Sequence, residues 1–176
     1  MNYQWIAPEG GNLVVLPRES VEFWLGASEF DDRGKAIPRE QSHQAQALAI
    51  RDYLSLIELE RGWALVLSGE PLYTCFTNTL AHPTLLRLIC ANELEEAQDA
   101  CNSIPESIWT RTDFTVNVGD QGLVLIDSYM IGPELHEYDE DSWCPLDVEE
   151  GRYAIETAEY EPERSTSLLL HRFRRL

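Results

Sequence analysis

Short apolar runs bounded by glycine or proline recur along the N-terminal half of the chain and predict strands. The clearest are residues 13–16, which Pro17 closes, residues 63–67, which follow Gly62, and residues 85–90. Apolar runs of this length between turn residues are typical of buried strands. We therefore predict a β-sheet core for this half of the chain.

The segments around these runs are predicted to be more exposed. Trp5 and Ile6 form a short strand-like run before a turn at residues 8–12. Residues 28–41 are polar and include glycine and proline, so we expect an exposed loop there.

Two segments have the apolar spacing of helices. The first is predicted to begin after Ser42, a suitable N-cap, and to continue to about Leu56. Its predicted inner face consists of Ala45, Leu48, Ala49, Tyr53 and Leu56. The second is predicted to begin at Asn92, with Glu95 three residues later as in a capping box. Its predicted inner face consists of Leu94, Ala97 and Cys101.

The C-terminal half has the alternation of half-buried strands. Phe114, Val116 and Val118 alternate with polar residues, a turn is expected at residues 119–122, and an apolar run follows at residues 123–126. This order predicts a β-hairpin. Farther on, the alternation continues around Tyr153, Ile155 and Thr157, residues 161–163 are predicted to turn the chain, and residues 167–173 to form the last strand.

These elements predict an α+β fold that is predominantly antiparallel β with two helices. A shift in composition near residue 107 predicts an α+β N-terminal lobe over residues 1–106 and a β-rich, acidic C-terminal lobe over residues 107–176. The two lobes either share a core or form one compact domain. A chain of 176 residues with 44% apolar residues is long enough to bury such a core.

The charge balance narrows the class of partner. The net charge is −18, and residues 89–176 carry 20 of the 31 acidic residues against 6 bases. Such a field repels the phosphates of nucleic acids and anionic membranes, and it attracts basic protein surfaces. We therefore expect a basic protein partner, no nucleic acid and no membrane. The alternative is that the acidity serves only solubility.

The cysteines and the N-terminal residues indicate a cytoplasmic protein. The cysteines lie at residues 75, 90, 101 and 144, without C-x-x-C spacing, so we expect reduced and mostly buried thiols. No apolar run approaches the roughly 20 residues of a membrane helix, and residues 1–5 do not begin like a secretory signal.

The sequence contains none of the usual signatures of catalysis or metal binding. It has no G-x-S-x-G, no H-E-x-x-H and no glycine-rich phosphate loop. A calcium loop beginning at Asp139 would have Trp143 and Cys144 where an oxygen ligand and a glycine are required. A Cys–His pair stays open, because four residues of each type are present. We expect no metal, no cofactor and no enzymatic activity.

The only basic cluster is at the C-terminus, with Arg172, Arg174 and Arg175. On an exposed end strand these arginines are expected either to protect the sheet edge or to pair with the acidic tract.

Two aromatic rings lie among carboxylates in an acidic stretch near residues 137–150, which is the candidate partner-binding surface. Tyrosine and tryptophan anchor many protein interfaces, and carboxylates there would pair with lysine or arginine. The alternative is a solvated loop without a partner. The candidate binding residues are Glu137, Tyr138, Asp139, Glu140, Asp141, Trp143, Glu149 and Glu150.

A series of motifs in residues 3–90 resembles one known family. The series is Trp5-Ile6, Gly10-Gly11, the run of residues 13–17, Trp24-Leu25-Gly26, Asp52-Tyr53, the run of residues 63–67, Gly69-Glu70-Pro71 and Leu86-Arg87-Leu88. Its order resembles that of the bacterial polymorphic-toxin immunity proteins of the type numbered twenty-one, in which the D-Y pair belongs to a helix. The chain departs from the family pattern at residues 28–41 and 137–141.

The resemblance implies a function by binding. Such a protein binds its cognate toxin domain in the cytoplasm of the producing cell and blocks an active site or an essential surface. Our hypothesis is that carboxylates of residues 137–150 imitate phosphates in the basic cleft of a nuclease, with Tyr138 and Trp143 at the centre of the contact. The alternatives are a small enzyme with a cleft between its lobes, an acidic regulatory protein, and a nucleic-acid mimic directed at a DNA-binding protein.

Overall fold

The computed structural model describes residues 4–9, 11–31, 33–69, 72–91, 93–101, 104–163 and 165–176. The strands are β1 (Leu13–Pro17), β2 (Leu54–Glu58), β3 (Trp63–Leu67), β4 (Thr74–Thr77), β5 (Thr84–Cys90), β6 (Thr110–Val118), β7 (Leu123–Asp127), β8 (Cys144–Leu146), β9 (Gly151–Glu163) and β10 (Thr166–Arg175). The helices are α1 (His43–Ala49) and α2 (Leu94–Ala100), with short 3₁₀ helices at Arg18–Phe23, Arg39–Gln41, Glu106–Ile108, Gly132–Glu137 and Glu140–Ser142.

The strands form two five-stranded antiparallel sheets. The first sheet has the order β2-β3-β1-β7-β8, and the second has the order β4-β5-β10-β9-β6. The fold is therefore α+β and predominantly antiparallel, as predicted. Each sheet contains strands from both sides of residue 106. The division into lobes at that residue stays a prediction.

The main core lies between the two sheets. Leu65 and Leu125 of the first sheet face Leu85, Ile155 and Phe173 of the second, and all five are fully buried. Alternate residues of the same strands point to the outer faces, because side chains along a strand alternate in direction.

The outer face of the first sheet is also covered. Val66 and Ile126 pack there against Trp24, Met130 and Ala47 of α1. On the outer face of the second sheet, α2 buries its small side chains against strands β5 and β10; this cluster includes Leu86, Ala97, Cys101, Leu168 and Leu170. Both sheets are therefore buried on two faces, which explains the continuous apolar runs in their central strands.

The first helix is shorter than predicted. Its N-cap is Ser42, whose Oγ accepts a hydrogen bond of 3.1 Å from the Ala45 N–H, but α1 ends at Ala49. The following residues form β2, in which Leu54 pairs with Leu67 of β3. The predicted inner face is wrong as well, because Leu48 and Tyr53 are exposed. The spacing of the leucines in this region fits both a helical and a strand period. The segment forms a strand because it pairs with the edge of β3.

The predicted hairpin of residues 114–126 is also wrong. Strand β6 pairs with β9 in the second sheet, whereas β7 pairs with β1 in the first. The turn at residues 119–122 therefore carries the chain from one sheet to the other. Strand β7 is buried on both faces, so it lies next to the equally apolar β1 rather than at an edge beside β6.

The other predictions differ mainly in their boundaries. The runs at residues 13–16, 63–67 and 85–90 are strands, and the second helix is α2. Ile6 makes only one bridge, to Thr74, and residues 161–163 belong to β9 rather than to a turn. Residues 28–41 form a loop in their described part, apart from one bridge and a short 3₁₀ helix. The predicted features at Gly10, Glu70-Pro71 and Asn92 lie outside the described residues.

A tight backbone crossing gives the first testable prediction. Gly132 donates a 2.7 Å hydrogen bond to the Trp24 carbonyl, and a Cβ at this glycine would collide with the carbonyl oxygen of Val21. Gly132→Ala should lower the free energy of unfolding by about 2 kcal/mol or more, because backbone must move. The measurement is urea unfolding.

The control is Gly34→Ala. Gly34 has φ +73° and no atom within 4 Å of an added Cβ, so it isolates backbone strain, at about 1 kcal/mol. Equal losses in the two variants would contradict the steric account of Gly132.

Candidate functional site

The candidate binding surface is the acidic segment, residues 137–150. Its first part, residues 137–143, lies on the cover of the first sheet, which is the layer of helical turns packed on the outer face of that sheet. Strand β7 ends at Asp127, whose buried carboxylate accepts hydrogen bonds from the N–H groups of Tyr129, at 3.1 Å, and Glu9, at 2.7 Å. The chain then forms the 3₁₀ helices Gly132–Glu137 and Glu140–Ser142 before it re-enters the sheet as β8. Among the side chains that this path exposes are four acids of the segment, Glu137, Asp139, Glu140 and Asp141.

Two aromatic residues hold this path against the core. Tyr138 and Trp143 are half-buried and pack on the cluster that contains Trp24 and Met130. The Tyr138 hydroxyl accepts a 3.1 Å hydrogen bond from the Ile131 N–H. These rings therefore position the neighbouring carboxylates. Their predicted place at the centre of a partner contact stays a prediction.

The N-terminal residues hold the other side of the segment. The Gln4 amide donates hydrogen bonds to the carbonyl oxygens of Glu140, at 2.9 Å, and Trp143, at 3.0 Å. Trp5 and Glu9 line the same shallow depression as Asp139 and its neighbours. No sequence signal indicates these contacts, because more than 130 residues separate the partners.

The carboxylates of this first part are not neutralised internally. Within the described ranges, no ion pair joins Asp139, Glu140 or Asp141 to a cation. Glu137 has only the exposed His136 nearby, with 3.9 Å between Nε2 and Oε1. The negative charge of the surface is therefore available to a partner.

Glu149 and Glu150 belong to a different place. Glu149 accepts a 2.8 Å hydrogen bond from Arg175, which also donates to the Glu150 carbonyl oxygen at 3.1 Å. Glu149 borders a depression with His82 and Tyr153, away from Asp139. The eight predicted residues are thus divided between two surfaces.

The C-terminal arginines form an internal ion network. Strand β10 is the central strand of its sheet, so the expectation of an exposed end strand was wrong. Arg172 is buried and donates hydrogen bonds to Glu156, at 2.7 Å, and to both carboxylate oxygens of Glu106, at 2.5 and 2.7 Å. Its guanidinium lies 4.3 Å from the centre of the Trp109 ring. Arg174 bonds Glu156 at 3.0 Å. The ion pairs of Arg172 and Arg174 therefore stabilise the outer face of the second sheet.

This network keeps its acids ionised. Burial alone would raise the pKa of Glu156, but hydrogen bonds from Arg172 and Arg174 outweigh it, and the pKa is lowered. The hydrogen bond from Arg172 likewise lowers the pKa of Glu106. These cations are consequently occupied and do not compensate the acidic segment.

Comparison with known proteins identifies the family. A family model described as Immunity protein 21 matches residues 4–166. The chain belongs to this family. No curated protein matches it, and no solved structure matches it. The Immunity protein 21 family assigns an immunity function and a toxin as the partner, and the match covers both the acidic segment and the N-terminal residues that hold it.

The motif Leu86-Arg87-Leu88 has a structural role in this Immunity protein 21 chain. The buried Arg87 guanidinium donates hydrogen bonds to the carbonyl oxygens of Tyr53, Leu67 and Ser68, at 3.3, 3.3 and 2.9 Å. Burial lowers its pKa to about 10. Burial and the nearby Arg87 charge lower the pKa of His171 to about 3, so this histidine is neutral at physiological pH.

The Asp52-Tyr53 pair of the family pattern precedes β2 instead of lying in a helix. Tyr53 contributes its carbonyl oxygen to Arg87 while its side chain is exposed.

Three of the four cysteines are buried, whereas Cys90 is exposed. Cys75, Cys101 and Cys144 are buried free thiols, and burial raises the pKa of each. They are therefore protonated at neutral pH and are poor nucleophiles. Among the described residues there is no group of three or more potential metal ligands, and no helix in that part is long and apolar enough to span a membrane.

The ion network gives the second prediction. Glu156→Gln should lower the free energy of unfolding by about 3 kcal/mol at pH 7, because Arg172 loses a buried charged partner. Since the pKa of Glu156 is lowered in the folded state, its contribution is present above the ordinary value of 4.5 and is lost as the pH falls below it. Denaturant unfolding from pH 7 down to pH 3 measures both effects, because the loss begins near pH 4.5 and continues through the lower folded-state pKa.

The matched control is Glu159→Gln, on the same strand but exposed. It should change the unfolding free energy by no more than about 0.5 kcal/mol. A difference between wild type and Glu156→Gln that stays constant as the pH falls would contradict the ionic explanation.

Proposed function

We propose that this protein neutralises its cognate toxin by placing the first part of the acidic segment over a basic active-site surface. The contact carboxylates are Glu137, Asp139, Glu140 and Asp141. The observation that carries the proposal is the exposure of these acids on a path fixed to the core, with no ion pair to residues 139–141 from any cation in the described part of the chain. The family membership supplies the toxin as the partner.

The electrostatics favour a basic partner. Residues 137–150 contain seven acids and no lysine or arginine. Facing a positive surface, such a cluster raises the rate of encounter, and salt suppresses this effect because the Debye length is only about 10 Å at 0.1 M. Nucleases hold nucleic acid through positive surfaces. A nuclease domain whose phosphate-binding cleft accepts carboxylates is therefore the partner that we propose.

Fixing the segment in advance strengthens binding. Tyr138 and Trp143 pack on the core, and Gln4 bonds the backbone on the other side. Less conformational entropy is then lost when the toxin binds. In the proposal the two rings mainly position the acids, and their exposed edges contact the partner. Glu149 and Glu150 lie at the margin, where Arg175 already neutralises Glu149.

We propose inhibition by occlusion, without catalysis, in the cytoplasm of the producing cell. Binding to a basic active site is sufficient to exclude the toxin's substrate. Burial raises the pKa values of Cys75, Cys101 and Cys144, which supports this reading over a hydrolase that would use one of these three thiols.

The third prediction tests the acidic surface. The partner is the toxin domain encoded beside this protein's gene, inactivated by a substitution in its own active site. The triple variant Asp139→Asn, Glu140→Gln, Asp141→Asn should associate about tenfold more slowly at low salt. Its association rate should also depend less on salt. Stopped-flow association over a range of salt concentrations gives both quantities.

The matched control neutralises three exposed acids of the α2 region, Glu93→Gln, Glu95→Gln and Asp99→Asn, on the outer side of the second sheet. It makes the same change in net charge and should alter the association rate by less than about twofold if local charge dominates. Equal slowing by the two triple variants would show that net charge acts alone and would contradict this placement of the interface.

A further inference from the structure

We propose that the arm, residues 28–37, is a second contact element that anchors the toxin through Phe30. This inference rests on the proposed function, because it takes the same toxin domain as the occupant. It adds an apolar contact to the acidic one, on residues where the sequence predicts only an exposed loop.

The described residues of the arm form an ordered hairpin. Phe30 and Ala36 make an antiparallel bridge, and the Ile37 N–H donates to the Glu29 carbonyl oxygen at 2.8 Å. Near the tip, the Asp31 carboxylate accepts hydrogen bonds from the N–H groups of Arg33, at 3.0 Å, and Lys35, at 2.8 Å. These bonds hold Phe30 in a defined direction before any partner arrives.

Phe30 is one of the large apolar side chains that the fold leaves exposed. Its exposed fraction is 54%. It borders a depression of about 560 Å³ between the arm and the start of α1, with Ala27, Ile37, Ser42 and Gln44 among the lining residues. A ring beside a depression can enter a partner's pocket while the depression receives a partner side chain, which is the arrangement of many interface anchors.

The arm and the acidic segment are both in contact with Tyr129. At the base of the arm, the Ala27 N–H donates to the Tyr129 carbonyl oxygen at 3.0 Å, and the Tyr129 ring meets the Tyr138 ring edge-to-face at a centroid distance of 5.9 Å. Gly132 bonds the Trp24 carbonyl in the same region. The proposed anchor and the proposed acidic contact are therefore linked through Tyr129.

The arm and the acidic segment differ in charge, and we expect them to contribute to different steps of binding. Residues 28–37 carry three acids and two bases, whereas residues 137–150 carry seven acids and no lysine or arginine. The acidic segment therefore steers the encounter, and the nearly neutral arm adds short-range apolar contact that slows dissociation. The partner surface that fits is an apolar pocket beside the toxin's basic cleft.

The test separates the two rate constants. With the inactivated toxin domain as the probe, Phe30→Ala should raise the dissociation rate at least about tenfold and leave the association rate within about twofold. The control is Leu94→Ala, which removes a large apolar side chain of 36% exposure at the start of α2. It should change neither rate. Both variants should keep the unfolding midpoint of the wild type, and Phe30→Tyr should retain slow dissociation.

The outcomes distinguish this inference from the proposed function. An unchanged dissociation rate for Phe30→Ala, with slower association for the variant at residues 139–141, would overturn the arm as an anchor and leave the acidic surface in place. Unchanged kinetics in both variants would overturn both. Equal acceleration of dissociation by Phe30→Ala and Leu94→Ala would also overturn the specific role of the arm.

Discussion

Burial of both faces of each sheet is the constraint on which the rest of the molecule depends. The central strands β1 and β7 are apolar on both sides, so packing one sheet on the other satisfies only half of their surface. The first sheet is completed by α1 and 3₁₀ segments that pack around Trp24 and Met130. Short helical turns form this cover. The arm and the start of the acidic segment connect these turns, so both lie at the surface.

The distribution of charge follows from the same architecture. On the outside of the second sheet, Glu106 and Glu156 are paired with Arg172 and Arg174, and their lowered pKa values reflect these partners. The acids at residues 139–141 instead lie on the cover of the first sheet, where no cation in the described part of the chain pairs with them. The ion pairs therefore neutralise acids on the outside of the second sheet, whereas the acids at residues 139–141 keep their charge unpaired within the described part of the chain.

Local patterns predict the class of fold and the most apolar strands, but not the pairings or the placement of the site. The run at residues 63–67 is unambiguous, whereas the leucines around Leu54 satisfy both a helical and a strand period until the edge of β3 is known. The acidic stretch is evident in the sequence. The division that puts Glu149 beside Arg175, the packing of Tyr138 and the support from Gln4 all depend on residues distant in the chain. The sequence therefore shows the acidic stretch itself but not the contacts that position it.

The most direct measurement of the central claim is hydrogen–deuterium exchange of the intact protein, free and in a stoichiometric complex with its inactivated toxin domain. Amides in residues 132–143, which lead into the acidic segment and include its first part, should exchange more slowly in the complex. Amides of the arm should also exchange more slowly. Amides of α2, on the opposite side, should be unchanged. Protection confined to α2 and the outer face of the second sheet, with residues 132–143 unaffected, would contradict the account.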